Sequence, residues 1–179
     1  MDYSELSKEI SYALRHAPEK YGLCIDENGW ANIDALISVL REQKRFESLS
    51  IDDIEKMIHD SEKERHQLQD GKIRALYGHS IKEKIVKNPA KPPDVLYHGT
   101  ARKFIENIFA IGLISKDRQY VHLSKDVKTA IMVGKRRDDN PVVLKINAKQ
   151  AWKNGILFYA GNESIWLADA IPSKYISFI

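Results

Sequence analysis

Two short apolar runs carry the residues best suited to hold a ligand: Leu96-Tyr97-His98-Gly99-Thr100 and Tyr120-Val121-His122-Leu123-Ser124. Each brings a histidine and a hydroxyl side chain to the end of a segment that reads as a strand. Two such strand ends could hold a ribose-bearing ligand. Four further residues could meet an anion: Arg15, His16, Arg74 and Arg136. A guanidinium offers parallel N–H groups that match phosphate oxygens, which a lysine ammonium does not.

Taken singly, these residues read as ordinary structure. Arg15-His16 ends a helix and suits a cationic cap on its dipole. Arg74, between Ile73 and Ala75, suits the outward charge of an alternating strand. Lys135-Arg136-Arg137 suits a solvated basic loop, and His98 and His122 suit satisfied core histidines. Tyr21, Tyr77, Tyr97 and Tyr120 could stack bases or simply pack. The set weighs more than its members: two histidines on strand ends, with separate arginines available for an anion.

Other chemistries lack their patterns. Gly78-His79-Ser80 does not have the spacing of a phosphate-binding glycine loop. There is no His-Glu-x-x-His zinc motif and no nucleophile elbow. A single cysteine, Cys24, permits neither a disulfide nor a cysteine zinc site within one chain, so no metal is expected. It favours a reducing, cytoplasmic setting. No run approaches the ~20 apolar residues of a membrane span, and the polar start from Met1 to Glu9 is unlike a signal peptide.

Charge is divided unevenly. Residues 1–90 hold 14 Lys/Arg against 17 Asp/Glu, and residues 91–179 hold 14 against 8. The second half suits an anionic partner; the first would need a local basic patch to bind one.

The elements that must position these groups follow from periodicity. Residues 4–16 predict an amphipathic helix with Leu6, Ile10, Ala13 and Leu14 on one face, ended by Pro18. After the turn Asp26-Glu27-Asn28-Gly29, Trp30 and Ile33 lead into a helix through Leu36, Ile37 and Leu40. Ser50 caps a third helix, with Asp53 placed as in a capping box. Asp70-Gly71 joins two short strands in a hairpin. Three helices and a hairpin make a winged-helix pattern. Residues 85–94, with Pro89, Pro92 and Pro93, read as a linker. Beyond it, strands are expected at 95–98, 119–123, 141–146, 156–159, 164–167 and 175–178. Helices are expected at 101–111, 125–134 and 147–153. Trp166 and Leu167 read as core. The expected class is α+β with a mostly antiparallel second lobe, divided as residues 1–88 and 89–179.

In chain order, Leu14-Arg15-His16, Asn28-Gly29-Trp30, Ile73-Arg74-Ala75, Gly78-His79-Ser80, Leu96-Tyr97-His98-Gly99-Thr100, Val121-His122-Leu123-Ser124, Val133-Gly134-Lys135-Arg136 and Ile165-Trp166-Leu167 resemble the RNA 2′-phosphotransferase family. Each piece is weak alone, and the ordered set is specific. The resemblance implies an N-terminal winged-helix lobe that binds RNA and a C-terminal lobe of the ADP-ribosyltransferase type that binds NAD. It implies NAD as co-substrate, held against His98, Gly99, Thr100, His122, Ser124 and Ile165. It maps a catalytic tetrad onto Arg15, His16, Arg74 and Arg136.

The implied reaction removes an internal 2′-phosphate from a tRNA-like RNA. The phosphate attacks the nicotinamide ribose of NAD and expels nicotinamide, giving an RNA-2′-phospho-ADP-ribose. A ribose hydroxyl then displaces the RNA, leaving a 2′-OH and ADP-ribose 1″,2″-cyclic phosphate. The other reading is an ADP-ribosyltransferase that stops after the first step, on a terminal nucleic-acid phosphate or a protein. A non-catalytic winged-helix binder is the weakest, because Asp52-Asp53, Glu55 and Asp60 to Glu64 suit a duplex groove poorly. Ile165 stands where many ADP-ribosyltransferases have a glutamate. Here Glu163-Ser164 precede it in place of the family's frequent Asn-Gly, so a register slip could restore a carboxylate. Tyr77 replaces a usual glutamine, and His66 a common aromatic.

Overall fold

Helix α1 (Tyr3–Arg15) starts where Asp2 accepts hydrogen bonds from the backbone N–H groups of Ser4 and Glu5. Its apolar stripe, Leu6, Ile10, Ala13 and Leu14, is fully buried. The computed structural model describes residues 1–179, which divide into two compact units, Met1–Val86 and Lys87–Ile179.

In the first unit α1 is followed by strand β1 (Trp30–Asn32) and helices α2 (Ile33–Arg41) and α3 (Ile51–His59). The capping box expected for α3 is present, with Ser50 and Asp53 each bonding to the other's backbone N–H. Strands β2 (His66–Gln69) and β3 (Lys72–Ala75) form the hairpin. Its turn needs positive φ at both central residues, and Asp70 and Gly71 have φ of 49° and 71°. The sheet order is β1-β3-β2, antiparallel throughout. The core joins the buried faces of the three helices to Ile73 and Ala75 of β3.

Trp30 to Asn32 differ from expectation. They form a strand on β3 rather than the lead-in to a helix, with Trp30 paired to Arg74. Asn32 then caps α2 by accepting from Ala35 N–H. Three residues are too few to show a period-2 pattern of their own.

The second unit contains β4 (Leu96–Thr100), α4 (Ile105–Ile111), β5 (Leu113–Ile114), β6 (Val121–Ser124), α5 (Val127–Gly134), β7 (Val142–Ile146), α6 (Ala148–Lys153), β8 (Phe158–Ala160), β9 (Ile165–Ala168), β10 (Ala170–Ile171) and β11 (Ile176–Phe178). Six strands form one antiparallel sheet in the order β11-β7-β4-β6-β9-β8, and β10 pairs with β5 in a second, two-stranded sheet. The α+β class expected from the strand count holds. The expected helix at 101–111 is divided into a 3-10 turn, Arg102–Phe104, and α4. Strand β4 extends to Thr100 because Gly99 and Thr100 continue the ladder against Val143 and Val142. The two-residue strands β5 and β10 are too short to leave a periodic signal. Leu167 is buried, while Trp166 is half-buried and packs on the core from its edge.

Candidate active site

Three of the four anion-facing candidates lie in Met1–Val86. Arg15 is the last residue of α1 and His16 is its C-cap. Residues 77–80 fold over this helix end. The Arg15 guanidinium carbon lies 5.1 Å from the Tyr77 ring centre, and Ser80 N–H donates to the Arg15 carbonyl at 2.9 Å. Ser80 Oγ and His16 Nδ1 are 2.7 Å apart. The helix end is thus capped by a segment that also fixes both side chains.

Beside Arg15, His66 is buried with its Nε2 2.9 Å from Ser11 Oγ. Burial, and then the positive charges of Arg15 and Arg65, push its pKa down to about 3. His66 is therefore neutral at pH 7. Arg15 and Arg65 thus bring two cations close to His66 near the end of α1.

Arg74 is held on three sides. Its Nε and Nη2 donate to Oε1 of Gln67 at 2.9 and 2.7 Å. Its guanidinium carbon lies 4.3 Å from the Trp30 ring centre. Nη1 donates to the Asn28 carbonyl at 3.5 Å. Trp30 and Gln67 are the cross-strand partners of Arg74 on either side, so the sheet register itself builds the clamp. Arg74 is half-buried, not a freely solvated strand charge. Burial lowers its pKa, yet a guanidinium keeps its proton. With Nε and Nη2 engaged by Gln67 and Nη1 by the Asn28 carbonyl, the remaining Nη hydrogens are the ones that could meet an anion. Gln67 was not singled out by residue type; its signal is its distance from the turn.

The ribose-facing candidates and Arg136 lie in Lys87–Ile179. His98 is the third residue of five in β4, and His122 the second of four in β6. Both stand inside strands rather than at strand ends, because the ladders continue to Thr100 and Ser124. His98 Nδ1–H donates to the His122 carbonyl at 2.9 Å. That bond fixes the tautomer and leaves Nε2 as an acceptor. Burial lowers the His98 pKa, opposed by the bond to His122, so the ring is neutral at pH 7.

Thr100 and Ser124 are buried. Ser124 pairs with Tyr97 on β4 and with Ile165 on β9. This pairing sets the β6–β9 register. Asn162 Oδ1 accepts from Ser164 and Ile165 N–H in the preceding turn, and Lys125 N–H donates to the Ser164 carbonyl at 2.9 Å. Ile165 is buried and Glu163 is an exposed turn residue. No slip brings Glu163 into the strand.

Gly99 has a packing reason to lack a side chain. A Cβ there would stand 1.8 Å from the Ala130 carbonyl oxygen of α5 and 3.1 Å from Gly134 N. Helix α5 therefore lies directly on the β4 backbone. Arg136, two residues beyond α5, is exposed, and its N–H donates to the Val133 carbonyl at 3.2 Å. Burial and then the charges of Arg137 and Arg136 lower the Arg118 pKa, against the opposing charge of Asp117. Arg118, Arg136 and Arg137 are thus close enough for their charges to interact. No helix is long and apolar enough to cross a membrane.

A family model described as "RNA 2'-phosphotransferase, Tpt1 / KptA family" matches residues 2–170. Similar proteins include a "Probable RNA 2'-phosphotransferase" of Acetivibrio thermocellus, 57% identical over 178 residues, spanning 99% of this chain and 98% of the relative. A protein of the same name from Bacillus thuringiensis subsp. konkukian is 51% identical over 175 residues, 98% and 95% of the two chains. An archaeal relative, "Probable RNA 2'-phosphotransferase 1" of Archaeoglobus fulgidus, is 41% identical over 172 residues, 96% and 79% of the two chains.

Proposed function

This chain belongs to the RNA 2′-phosphotransferase, Tpt1 / KptA family, and from that premise we propose that it is an NAD-dependent enzyme that clears an internal 2′-phosphate from RNA. The products are 2′-OH RNA, nicotinamide and ADP-ribose 1″,2″-cyclic phosphate. The observation that carries the reading is the family match over residues 2–170, which takes in every residue assigned a role below. NAD as co-substrate, 2′-phosphorylated RNA as partner and a cytoplasmic setting are parts of the same proposal.

The first unit, with three α-helices and a β1-β3-β2 antiparallel sheet, is read as a winged-helix lobe that binds RNA. The second, with its six-stranded antiparallel sheet, is read as an ADP-ribosyltransferase-like lobe that binds NAD. The chemistry of the second unit fits that ligand. With Nδ1–H bonded to the His122 carbonyl, His98 Nε2 can accept from a ribose hydroxyl. Thr100 and Ser124 supply hydroxyls on the two strands, and Ile165 an apolar wall. NAD supplies an electrophilic ribose carbon with nicotinamide as its leaving group.

A phosphate is already anionic near pH 7 and needs orientation rather than deprotonation. Arg15 and Arg74 bind and orient it, and the Gln67–Trp30 clamp lets Arg74 do so without reorganising. His16, held by Ser80, is a phosphate ligand or proton donor. Arg136 neutralises the charge that builds on phosphorus as the RNA departs. The absence of a carboxylate at Ile165 suits a nucleophile that needs no general base.

Mass spectrometry of a short 2′-phosphorylated RNA, incubated with the protein with and without NAD, tests this reading. Loss of the phosphate from RNA only with NAD is expected. A lasting gain of ADP-ribose on the RNA would instead favour a transferase that stops after one step. Phosphate loss without NAD would contradict the proposal.

A further inference from the structure

We propose that Tyr12 is a stacking platform for a nucleobase of the RNA strand, next to the position of its 2′-phosphate. The inference deepens the functional reading above and rests on it. Of the aromatic side chains in Met1–Val86, Tyr12 is the one that is largely exposed, at 43%. It lies one helical turn before His16 on α1, so the two rings share a face of the helix, with centres 6.1 Å apart and planes tilted by 48°. A base next to a phosphate held at His16 would reach it.

The ring is also held in place. Tyr21 meets it edge-on, with centres 6.3 Å apart and an angle of 74°. Tyr21 is itself fixed by donating its hydroxyl to Glu9 at 2.6 Å. The Lys20 ammonium lies 5.5 Å from the Tyr12 ring centre. An aromatic platform beside a cation is the composition that binds single-stranded RNA without reading its sequence. Glu9, the acid that Tyr21 bonds, is also engaged by Arg45 at 2.8 Å and by Gln43 at 3.0 Å. A tyrosine that merely completed the core would be buried, as Tyr175 is.

The test is equilibrium binding of a labelled single-stranded RNA bearing one internal 2′-phosphate. A second RNA lacks the base on the phosphorylated nucleotide, and a third lacks the base on its 3′ neighbour. Each is titrated against the unaltered protein, Tyr12→Ala and Tyr12→Phe, with thermal melting as a check on folding. Turnover with NAD is followed in parallel.

Tyr12→Ala should weaken binding of the full RNA about tenfold, the scale of one lost base stack. Tyr12→Phe should stay within about twofold, because the ring and not the hydroxyl stacks. Removing the contacted base should erase the difference between Tyr12→Ala and the unaltered protein, and the KM for NAD should not move. Equal affinity of Tyr12→Ala and the unaltered protein for the full RNA would overturn the proposal. So would an undiminished Tyr12→Ala defect on both base-lacking RNAs, or no binding of RNA by the unaltered protein. Binding that follows the expected pattern without NAD-dependent turnover would uphold the platform and overturn the enzymatic reading.

Discussion

Gly99 on β4 lies so close to Ala130 on α5 that a Cβ on the glycine would stand 1.8 Å from the Ala130 carbonyl oxygen. The contact lets the helix rest on the strand that carries His98, and Arg136 follows two residues after that helix ends. Gly134 continues the seam, since a Cβ there would meet Pro141 Cβ at 2.6 Å and the Gly99 carbonyl carbon at 3.2 Å. Gly99→Ala must push α5 away and should destabilise the protein by about 1–3 kcal/mol, as overpacking does. Denaturant unfolding measures it. A loss below about 0.5 kcal/mol, the usual range of surface changes, would show that the seam relaxes freely.

Gln67→Ala removes the acceptor shared by Nε and Nη2 of Arg74. Stability should change little, because Gln67 is only half-buried. Efficiency with RNA should fall about tenfold or more, the cost of a misaligned phosphate ligand, with no change in the KM for NAD. Gln67→Glu should be worse than Gln67→Ala, because a carboxylate would compete with the phosphate for Arg74. Steady-state kinetics with each substrate varied in turn separates these outcomes.

His66 makes stability depend on pH in a definite direction. Its folded pKa of about 3 lies below its ordinary value of 6.5, so between those values the unfolded chain binds a proton that the folded chain does not. The contribution is fully present above pH 6.5 and is lost as pH falls toward 3, at about 1.4 kcal/mol per pH unit. His66→Gln should flatten the slope of unfolding free energy between pH 6 and 4 relative to the unaltered protein. An unchanged slope would assign that acid sensitivity to other groups.

Arg136→Ala should slow release of RNA more than attack on NAD. A loss of about 10²–10³ in turnover is expected from removing one such charge-stabilising donor, with an RNA-phospho-ADP-ribose species accumulating. Quenched time courses resolve the two steps. Full turnover with no accumulated species would remove Arg136 from the mechanism.

Much of this was legible in the sequence, for local reasons. Ser50 and Asp53 predict the α3 cap because both bonds lie within four residues. Asp70-Gly71 predicts the hairpin because few dipeptides accept positive φ at both positions. Strand β1 was hidden, because Trp30 becomes a strand residue only by pairing with Arg74, 44 positions on. The histidines were expected at strand ends because Gly99 and Ser124 look like stops; ladders with neighbouring strands carry β4 to Thr100 and β6 to Ser124.

Within the site, Arg15, His16 and Arg74 stood out by type, but Gln67 did not. Counting outward from Asp70-Gly71 pairs Gln69 with Lys72, Leu68 with Ile73 and Gln67 with Arg74, so the clamp was readable from the turn. The role of Gly99 was not. Its reason is the carbonyl of Ala130, 31 residues on in sequence, and only three-dimensional packing brings it against Gly99.

The central claim is that the RNA phosphate leaves as part of an ADP-ribose product and is not hydrolysed. Phosphorus NMR of a reaction between 2′-phosphorylated RNA, NAD and the protein follows that one atom directly. The account predicts that the RNA 2′-phosphate signal is replaced by that of a cyclic phosphate on ADP-ribose, one for each nicotinamide released. Appearance of the same phosphorus as inorganic phosphate, at equal rates with and without NAD, would contradict it.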